Sequence, residues 1–312
     1  MSAAEEVRGA LAEQPLRRRP ANIWRDTAAN IGRQRSAQVG LAMLALLALA
    51  ALAAPLIAPF EPNEQLYAIG GDRHAPSCIH LLGCPADQPQ FLLGLDANSR
   101  DVLSRVIFGA RISLVVGLST IGLAVVIGTL IGAVAGYAVG ATDNVLMRLM
   151  DVLLAFPALV LAIAIVTVLG AGLFNAVLAI AIVQIPIYAR VMRASVLSVR
   201  EREFVVASRA LGESGIGILT RRILPNALTP MIVQGTLGIG TAVLETAALS
   251  FIGLGAQPPL AEWGSMIGLE RNAIFSAPLI ILAPGVGLAL TVLGFNLLGD
   301  GLRDALDPRL NR

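Results

Sequence analysis

Glu201-Arg202-Glu203-Phe204-Val205-Val206-Ala207-Ser208-Arg209-Ala210-Leu211-Gly212, running on to Ile223-Leu224-Pro225, is a polar, arginine-rich stretch between two blocks of apolar sequence. Four of its residues recur at helical spacing: Phe204, Ala207, Ser208 and Leu211. They therefore share one face of a short helix, and Gly212 is a typical residue to end it. The stretch predicts a helical loop that lies outside the membrane and presents a face to something else.

A second short helical segment is expected after Gly212. Ser214 is a suitable N-cap for it, and Pro225 is expected to break the helix before the next apolar block. Two such helices can fill a groove in a partner protein, or they can lie on lipid headgroups. The pattern alone is compatible with both roles.

Composition excludes an ordinary soluble domain. Of the 312 residues, 56% are hydrophobic and 14% are charged, and the mean hydropathy is +0.75. All 23 basic residues are arginine, so the chain lacks the lysine of a nucleotide-binding P-loop. Neither HExxH nor GxSxG occurs, and both histidines fall in one outer loop. We expect a non-enzymatic subunit that depends on a partner for energy.

Apolar segments long enough to cross a bilayer predict six transmembrane helices, at 37–59, 112–139, 145–169, 173–192, 229–254 and 277–298. The first could instead be a signal peptide, but its apolar run is long for one and a long tail precedes it. The predicted fold class is therefore an all-α integral membrane protein.

Arginine placement predicts the orientation. Arginines concentrate in the N-terminal tail, in the central loop and in the C-terminal tail, and six spans put these three regions on one side. The positive-inside rule makes that side the cytosol. The predicted layout is a cytosolic tail (1–36), a first span (37–59), an outer loop (60–110), a core (111–300) that contains the loop 196–228, and a cytosolic tail (301–312).

Polar residues within the predicted spans are candidates for a translocation path: Gln184, Gln234 and Glu245. A carboxylate in a span is costly and by default suggests function. For Glu245 we favour a structural or gating role, and the alternative is that it lines the path and meets the amino end of a peptide. Glutamines, like Thr236 and Thr241, can also join helices. Pro157 and Pro186 predict bends within their spans.

Glycines repeat at every fourth position of the second predicted span, at 128, 132, 136 and 140. This spacing predicts close approach of another helix to one face.

The outer loop holds both cysteines and both histidines of the chain: His74, Cys78, His80 and Cys84. Two nearby cysteines outside the cytosol typically form a disulfide, and free thiols or a metal site are the alternatives. Later in this loop, Arg100, Asp101 and Arg105 are predicted to begin an amphipathic segment at the outer surface.

Several motifs resemble those of the membrane subunits of ABC transporters. The central loop resembles the EAA loop of binding-protein-dependent permeases, and the wider chain is similar to the second permease of the dipeptide, oligopeptide and nickel group. The resemblance covers residues 25–312 and rests on these further stretches: Leu93-Gly94-Leu95-Asp96, Gly109-Ala110-Arg111-Ile112-Ser113-Leu114, Met150-Asp151-Val152-Leu153-Leu154-Ala155-Phe156-Pro157, Ala248-Leu249-Ser250-Phe251-Ile252-Gly253-Leu254-Gly255, Trp263-Gly264 and the ending from Phe295 to Arg309.

The resemblance implies a type I importer permease (MetI-like) fold in a bacterial inner membrane. Implied partners are a homologous permease, two cytosolic ATPases that bind ATP and Mg, and an external solute-binding protein; nucleic acid is not expected, and lipid surrounds the chain. The implied substrates are dipeptides or oligopeptides, with nickel chelates, glutathione or opine-like compounds as alternatives. The implied ATPase-coupling residues are Arg202, Glu203, Phe204, Ala207, Ser208, Arg209, Ala210, Leu211, Gly212, Leu224 and Pro225.

One departure from the family pattern concerns the coupling loop. The usual Glu-Ala-Ala is Val206-Ala207-Ser208 here, so the family's salt bridge from this glutamate to the ATPase is in doubt. Glu203, one turn earlier, is the substitute that the sequence offers. A rival class, an ion-coupled secondary transporter using Glu245 or Asp151, would require inverted repeats that the sequence does not show. An intramembrane enzyme would need a base within the spans, where histidine is absent.

Overall fold

The computed structural model describes residues 34–85, 87 and 89–306. Sequence predictions for residues 1–33 and 307–312 lie outside the described residues. Within the described part of the chain the fold is helical, and the β-type pairings there are two isolated bridges, Cys78 with Phe91 and Leu95 with Asp101. The predicted all-α fold class is confirmed.

The helices are α1 (Arg35–Leu52), α2 (Ala54–Ile57), α3 (Val102–Ala138), α4 (Gly140–Leu154), α5 (Ala158–Leu169), α6 (Leu173–Arg200), α7 (Glu203–Ala210), α8 (Gly215–Gly217), α9 (Leu224–Ala227), α10 (Thr229–Phe251), α11 (Trp263–Glu270) and α12 (Pro278–Leu306). Among the described residues, α1, α3, α6, α10 and α12 are each long and apolar enough to cross a membrane, and α4 with α5 makes a sixth span if this bent pair counts as one.

Several helices extend beyond the apolar segments that predict them. Helix α3 begins at Val102 rather than at residue 112, because the side chain of Asp101 caps its first turn by accepting a 2.7 Å hydrogen bond from the Ser104 amide. Burial raises the pKa of Asp101 above its ordinary value, although the hydrogen bonds from Ser104 oppose this shift. Helix α6 continues to Arg200, so the predicted loop 196–228 begins inside it.

The third predicted span is broken rather than continuous. Helices α4 and α5 meet at an angle of 91° across residues 155–157. Pro157 cannot donate a backbone hydrogen bond, and it disfavours a helical conformation at the preceding residue. The bend predicted at Pro157 is therefore present, and it is sharp enough to divide the predicted span into two helices. Pro186, in contrast, lies inside an uninterrupted α6.

Helices α3 and α6 approach closely along the predicted glycine face. A Cβ added to Gly128 would lie 2.6 Å from Tyr188 Cβ, and one at Gly132 would lie 2.8 Å from Met192 Cβ. Only glycine leaves room for the backbones at this distance. Gly140 does not belong to this contact: it has open space around it and a φ of +67°, and it begins α4 after the chain turns.

A buried ionic group closes the outer side of the bundle. Arg100 Nη2 lies 2.7 Å from Asp96 Oδ2, and Arg105 Nε lies 3.5 Å from the same oxygen. The prediction that Arg100, Asp101 and Arg105 begin an exposed amphipathic segment is wrong, because all three are buried. Arg100 and Arg105 are both paired with Asp96, which compensates for burying their charges. Asp101 accepts hydrogen bonds from the amide and hydroxyl of Ser104.

Helix α11 ties this outer region to the bundle. The indole nitrogen of buried Trp263 donates a 3.0 Å hydrogen bond to the carbonyl of Val106 in α3. At the other end of α11, Glu270 accepts a 3.0 Å hydrogen bond from the Ala97 amide and lies 2.8 Å from His74 Nε2. The outer loop is therefore held at several points by polar contacts as well as by chain connectivity.

Replacing Gly132 by valine should destabilise the bundle, because the added side chain must push α3 away from α6. Overpacking of this kind costs about 1–3 kcal/mol. The matched control is Gly122→Val on the same helix, where a Cβ meets nothing within 4 Å. Thermal unfolding of the purified protein in detergent should show a lower midpoint for Gly132→Val only; equal midpoints would contradict the close helix contact.

Candidate translocation cavity and coupling loop

A cavity of about 440 Å³ lies between the α4–α5 bend, α6, α10 and α12. Its polar lining consists of Gln184, Tyr188, Gln234, Thr241, Glu245 and Asn296. Its apolar lining includes Phe156, which the bend places there. The cavity thus gathers polar groups within an otherwise apolar bundle.

All three path candidates from the sequence line this cavity. Gln234, Thr241 and Glu245 share one face of α10, since their spacing follows the helical repeat. Gln184 of α6 faces them, and its Nε2 donates a 2.9 Å hydrogen bond to Oε2 of Glu245. The carboxylate is therefore oriented by a neighbouring helix while it remains accessible from the cavity.

Thr236 and Thr241 have the same predicted role but differ in their contacts. The hydroxyl of Thr236 donates to the carbonyl of Ile232 within α10 at 2.9 Å, so it is satisfied locally. Thr241 lies on the cavity lining and is exposed. Of the pair, only Thr241 is a candidate contact for a transported molecule.

Sequence reasoning missed Tyr188, Asn296 and Phe156. Tyr188 is buried, and its hydroxyl donates to the carbonyl of Gln234 at 3.5 Å, which places the ring against α10. Its position four residues after Gln184 on α6 was an available signal, because residues so spaced share a helix face. Nothing local in the sequence indicates that Asn296 of α12 reaches the same cavity.

Two other carboxylates of the bundle, Asp143 and Asp151 of α4, are paired with arginines of α6. Asp151 accepts a 2.5 Å hydrogen bond from Arg190, and both side chains are more than half exposed. Asp143 holds Arg193 in a two-pronged contact at 2.5 and 2.6 Å. These pairs join α4 to α6 and leave Glu245 as the carboxylate that faces the cavity.

The predicted coupling helix forms as α7. Val205 is its buried contact with the bundle, at 0% exposure, and sequence reasoning did not select it. Ser208 is half-buried, and the other predicted coupling residues of this helix and its C-terminal end are exposed: Arg202, Glu203, Phe204, Ala207, Arg209, Ala210, Leu211 and Gly212. One buried residue therefore anchors α7 to the bundle, and most of the surface of the helix is exposed.

The loop is fixed to the ends of the spanning helices. Arg200, the last residue of α6, directs Nη1 to the carbonyls of Gly136 and Tyr137 at the end of α3, at 3.4 and 3.5 Å. Ser195 Oγ donates to the Ala227 carbonyl at 2.9 Å, which holds the returning segment against α6. These contacts make the loop part of the α3–α6 unit.

The second half of the loop differs from prediction at Pro225. Ser214 caps α8 as expected, with its Oγ accepting from the Gly217 amide at 3.2 Å. A π-helical turn (Ile218–Ile223) follows, and Leu224 and Pro225 begin α9, which leads on toward α10. Pro225 therefore does not break the helix, because it occupies the first turn, where a missing amide hydrogen is tolerated. The π-helical turn, which is wider than an α-helical turn, lies before Pro225.

In the outer loop, a disulfide joins Cys78 to Cys84. His74 contacts Glu270, and His80 Nδ1 lies 2.9 Å from Gln90 Nε2. The four residues weighed as metal ligands therefore do not converge on one point, and both sulfur atoms are bonded to each other.

This chain is similar in sequence and in structure to known transport proteins. Residues 128–312 match the family described as binding-protein-dependent transport system inner membrane component, and residues 22–76 match the N-terminal TM domain of oligopeptide transport permease C. In structure, the chain resembles a subunit of the MetNI methionine ABC transporter in an inward-facing conformation, with a TM-score of 0.54 and 18% identity over 66% of this chain and 98% of that one. This likeness supports the MetI-like fold.

Curated relatives span nearly the whole chain. The dipeptide transport system permease protein of Alkalihalophilus pseudofirmus is 44% identical over 292 residues, covering 92% of this chain and 90% of the relative. The glutathione transport system permease protein of Escherichia coli is 41% identical over 287 residues, covering 92% and 91%. The chain is a multi-pass membrane protein that belongs to the family of inner membrane components of binding-protein-dependent transport systems.

Proposed function

We propose that this chain is the permease subunit of an ATP-driven importer for dipeptides and other short peptides. The observation that carries the proposal is the placement of a polar cavity and an exposed loop on one helix: α6 holds Gln184 in the cavity and ends at Arg200, where the loop begins. Peptide transport is the function named for the dipeptide relatives, and a cavity lined by amides and a carboxylate suits a zwitterionic peptide.

The loop is the proposed docking surface for a cytosolic ATPase. Leu211 and Ile216 are 88% and 78% exposed, and they stand among exposed arginines. An apolar side chain that is this exposed typically marks a binding surface when others accompany it. A helix that inserts into a groove of the ATPase would cover both residues, and the anchoring contacts of Arg200 and Ser195 would pass its displacement to α3 and α6.

Glu203 is the proposed replacement for the family's loop glutamate. It lies in the first turn of α7, and Val206 follows it one turn later, with both side chains exposed. A carboxylate at position 203 can therefore reach the same side of the helix as one at position 206. An exposed ion pair contributes only about 0–1 kcal/mol, so apolar contacts are expected to dominate docking.

The full assembly would contain a homologous permease, two ATPases and an external solute-binding protein. ATP and Mg would bind to the ATPases, and this chain would carry out no covalent chemistry. With the arginine-rich loop in the cytosol, both termini are cytosolic as well. Closure of the ATPases would pull the loops together and switch the cavity between inward and outward access, which is a shift between two conformations of a helix bundle.

Glutathione is the second candidate substrate, because glutathione permeases of similar identity are among the relatives. It also carries a free amine and peptide bonds, so the same cavity could accept it. The external binding protein would decide between the two, and adding each candidate binding protein in turn to the reconstituted importer distinguishes them.

Changing Leu211 to aspartate should uncouple the importer. Burying a leucine contributes about 2 kcal/mol, and about 1.4 kcal/mol corresponds to a factor of ten in affinity. The rate of ATP hydrolysis that the loaded binding protein stimulates is measured in liposomes that contain the complete importer. When the concentration of the ATPase is low enough to limit docking, this rate should fall by about tenfold or more.

The matched control is Thr220→Asp, which adds the same charge to an exposed, already polar position of the same loop. We expect it to retain most of the stimulation. Normal stimulation in the Leu211→Asp importer, with the ATPases still bound, would overturn the proposed docking surface.

A further inference from the structure

We infer that Glu245 and Gln184 form a binding site for a protonated primary amine, such as the amino terminus of a transported peptide. The inference rests on the proposed function, because it assigns a ligand group to the cavity of the importer. Its basis is the local geometry of the carboxylate rather than the names of relatives.

The charge of the cavity lining comes from one residue. Among the residues that line the cavity, Glu245 is the only ionisable carboxylate or base, and the other polar groups are neutral amides and hydroxyls. Across residues 34–85, 87 and 89–306, no arginine or histidine lies within salt-bridge distance of Glu245, whereas Asp143 and Asp151 each have an arginine. A membrane-embedded carboxylate without a cation is costly, so it favours a cationic ligand.

The orientation of the Glu245 carboxylate is fixed before a ligand binds. Gln184 Nε2 donates to Oε2 of Glu245, and within the described residues no protein group donates to Oε1. The buried Gln184 amide thereby fixes the rotation of the carboxylate without neutralising it. An ammonium group that approached from the cavity would find a fixed acceptor, which lowers the entropy cost of binding.

The surroundings favour an amine over a metal cation. Ca²⁺ takes six to eight oxygen ligands, and this cavity supplies one carboxylate, one oxygen of which already accepts a hydrogen bond from Gln184. Phe156 provides an apolar wall, and Gln234 and Asn296 supply amides that can pair with peptide bonds. The site therefore suits an ammonium group attached to a small peptide-like body.

The test uses chemical protection of a cysteine in the cavity. Thr241 lies one turn from Glu245 on the same face of α10. The native cysteines of this chain are joined in a disulfide, so Thr241→Cys provides its single reactive thiol, and labelling is read on this chain after the subunits are separated. The purified importer, without binding protein, is treated with a maleimide in the presence of alanyl-alanine amide or N-acetyl-alanyl-alanine amide. The terminal nitrogen is a charged amine in the first probe and a neutral acetylated amide in the second, and the Glu245→Gln variant separates the effect of charge from that of the added acetyl group.

Alanyl-alanine amide should slow labelling, and the acetylated probe should require about a tenfold higher concentration or more for the same protection. Glu245→Gln in this background should remove the difference, because it keeps the hydrogen-bonding partner for Gln184 and deletes the charge. Adding Gln184→Glu to that variant returns a carboxylate to the same contact and should restore the difference.

Equal protection by the two probes, absence of protection by both, or a preference that survives Glu245→Gln would each overturn the inference. Stimulation of ATP hydrolysis by the loaded binding protein is measured on the same preparations. Stimulation without amine-dependent protection means that the importer works as proposed and that the amine site is wrong. Absence of stimulation in the unmodified importer would instead count against the proposed function.

Discussion

The close contact between α3 and α6 is the constraint on which the rest of this structure depends. Gly128 and Gly132 let the backbone of α3 approach α6 more closely than any side chain would allow. Without that approach, the guanidinium of Arg200 would not reach the carbonyls at the end of α3. The loop would then lose its contact with α3 through Arg200 and keep the contact of Ser195 with Ala227 and the buried side chains of Val205, Ile218 and Ile223. A glycine face in an apolar helix thus determines how firmly the exposed loop is attached to the bundle.

This arrangement gives a physical route from the loop to the cavity. Helix α6 is continuous from Leu173 to Arg200, so a displacement at its loop end is carried along its length. Gln184 and Tyr188 lie on this helix and contact Glu245 and the Gln234 carbonyl of α10. Movement of the loop against α10 would therefore change the hydrogen bonds that shape the cavity. Packed interfaces of this kind tend to switch between discrete arrangements rather than deform gradually.

Sequence reasoning predicted the features that depend on local pattern and missed those that depend on contact between distant segments. Span number, the short helix after residue 200 and the cap at Ser214 follow from periodicity and capping chemistry. The break at Pro157 was predicted as a bend, because a proline does not show from sequence alone whether the helix resumes in the same direction. Val205 is overlooked because a single buried residue leaves no periodic signal. Asn296 is overlooked because it meets α6 and α10 only in the folded bundle.

The burial of Arg100 and Arg105 also escapes sequence reasoning. Their partner Asp96 lies across a turn of the outer loop, so the pattern alone assigns both arginines to the surface.

The most direct test of this account measures whether the loop and the α3–α6 unit move together. Cysteines at Thr220 in the loop and at Val126 on α3, both exposed, can carry spin labels, since the native cysteines of this chain are held in a disulfide. Double electron–electron resonance would give their separation in the complete importer without nucleotide and after trapping with ATP and vanadate, with phosphate release confirming the trapped state. The account predicts one unchanged distance distribution in both states. A shifted or divided distribution after trapping would show that the loop moves independently of α3, and would contradict the coupling described here.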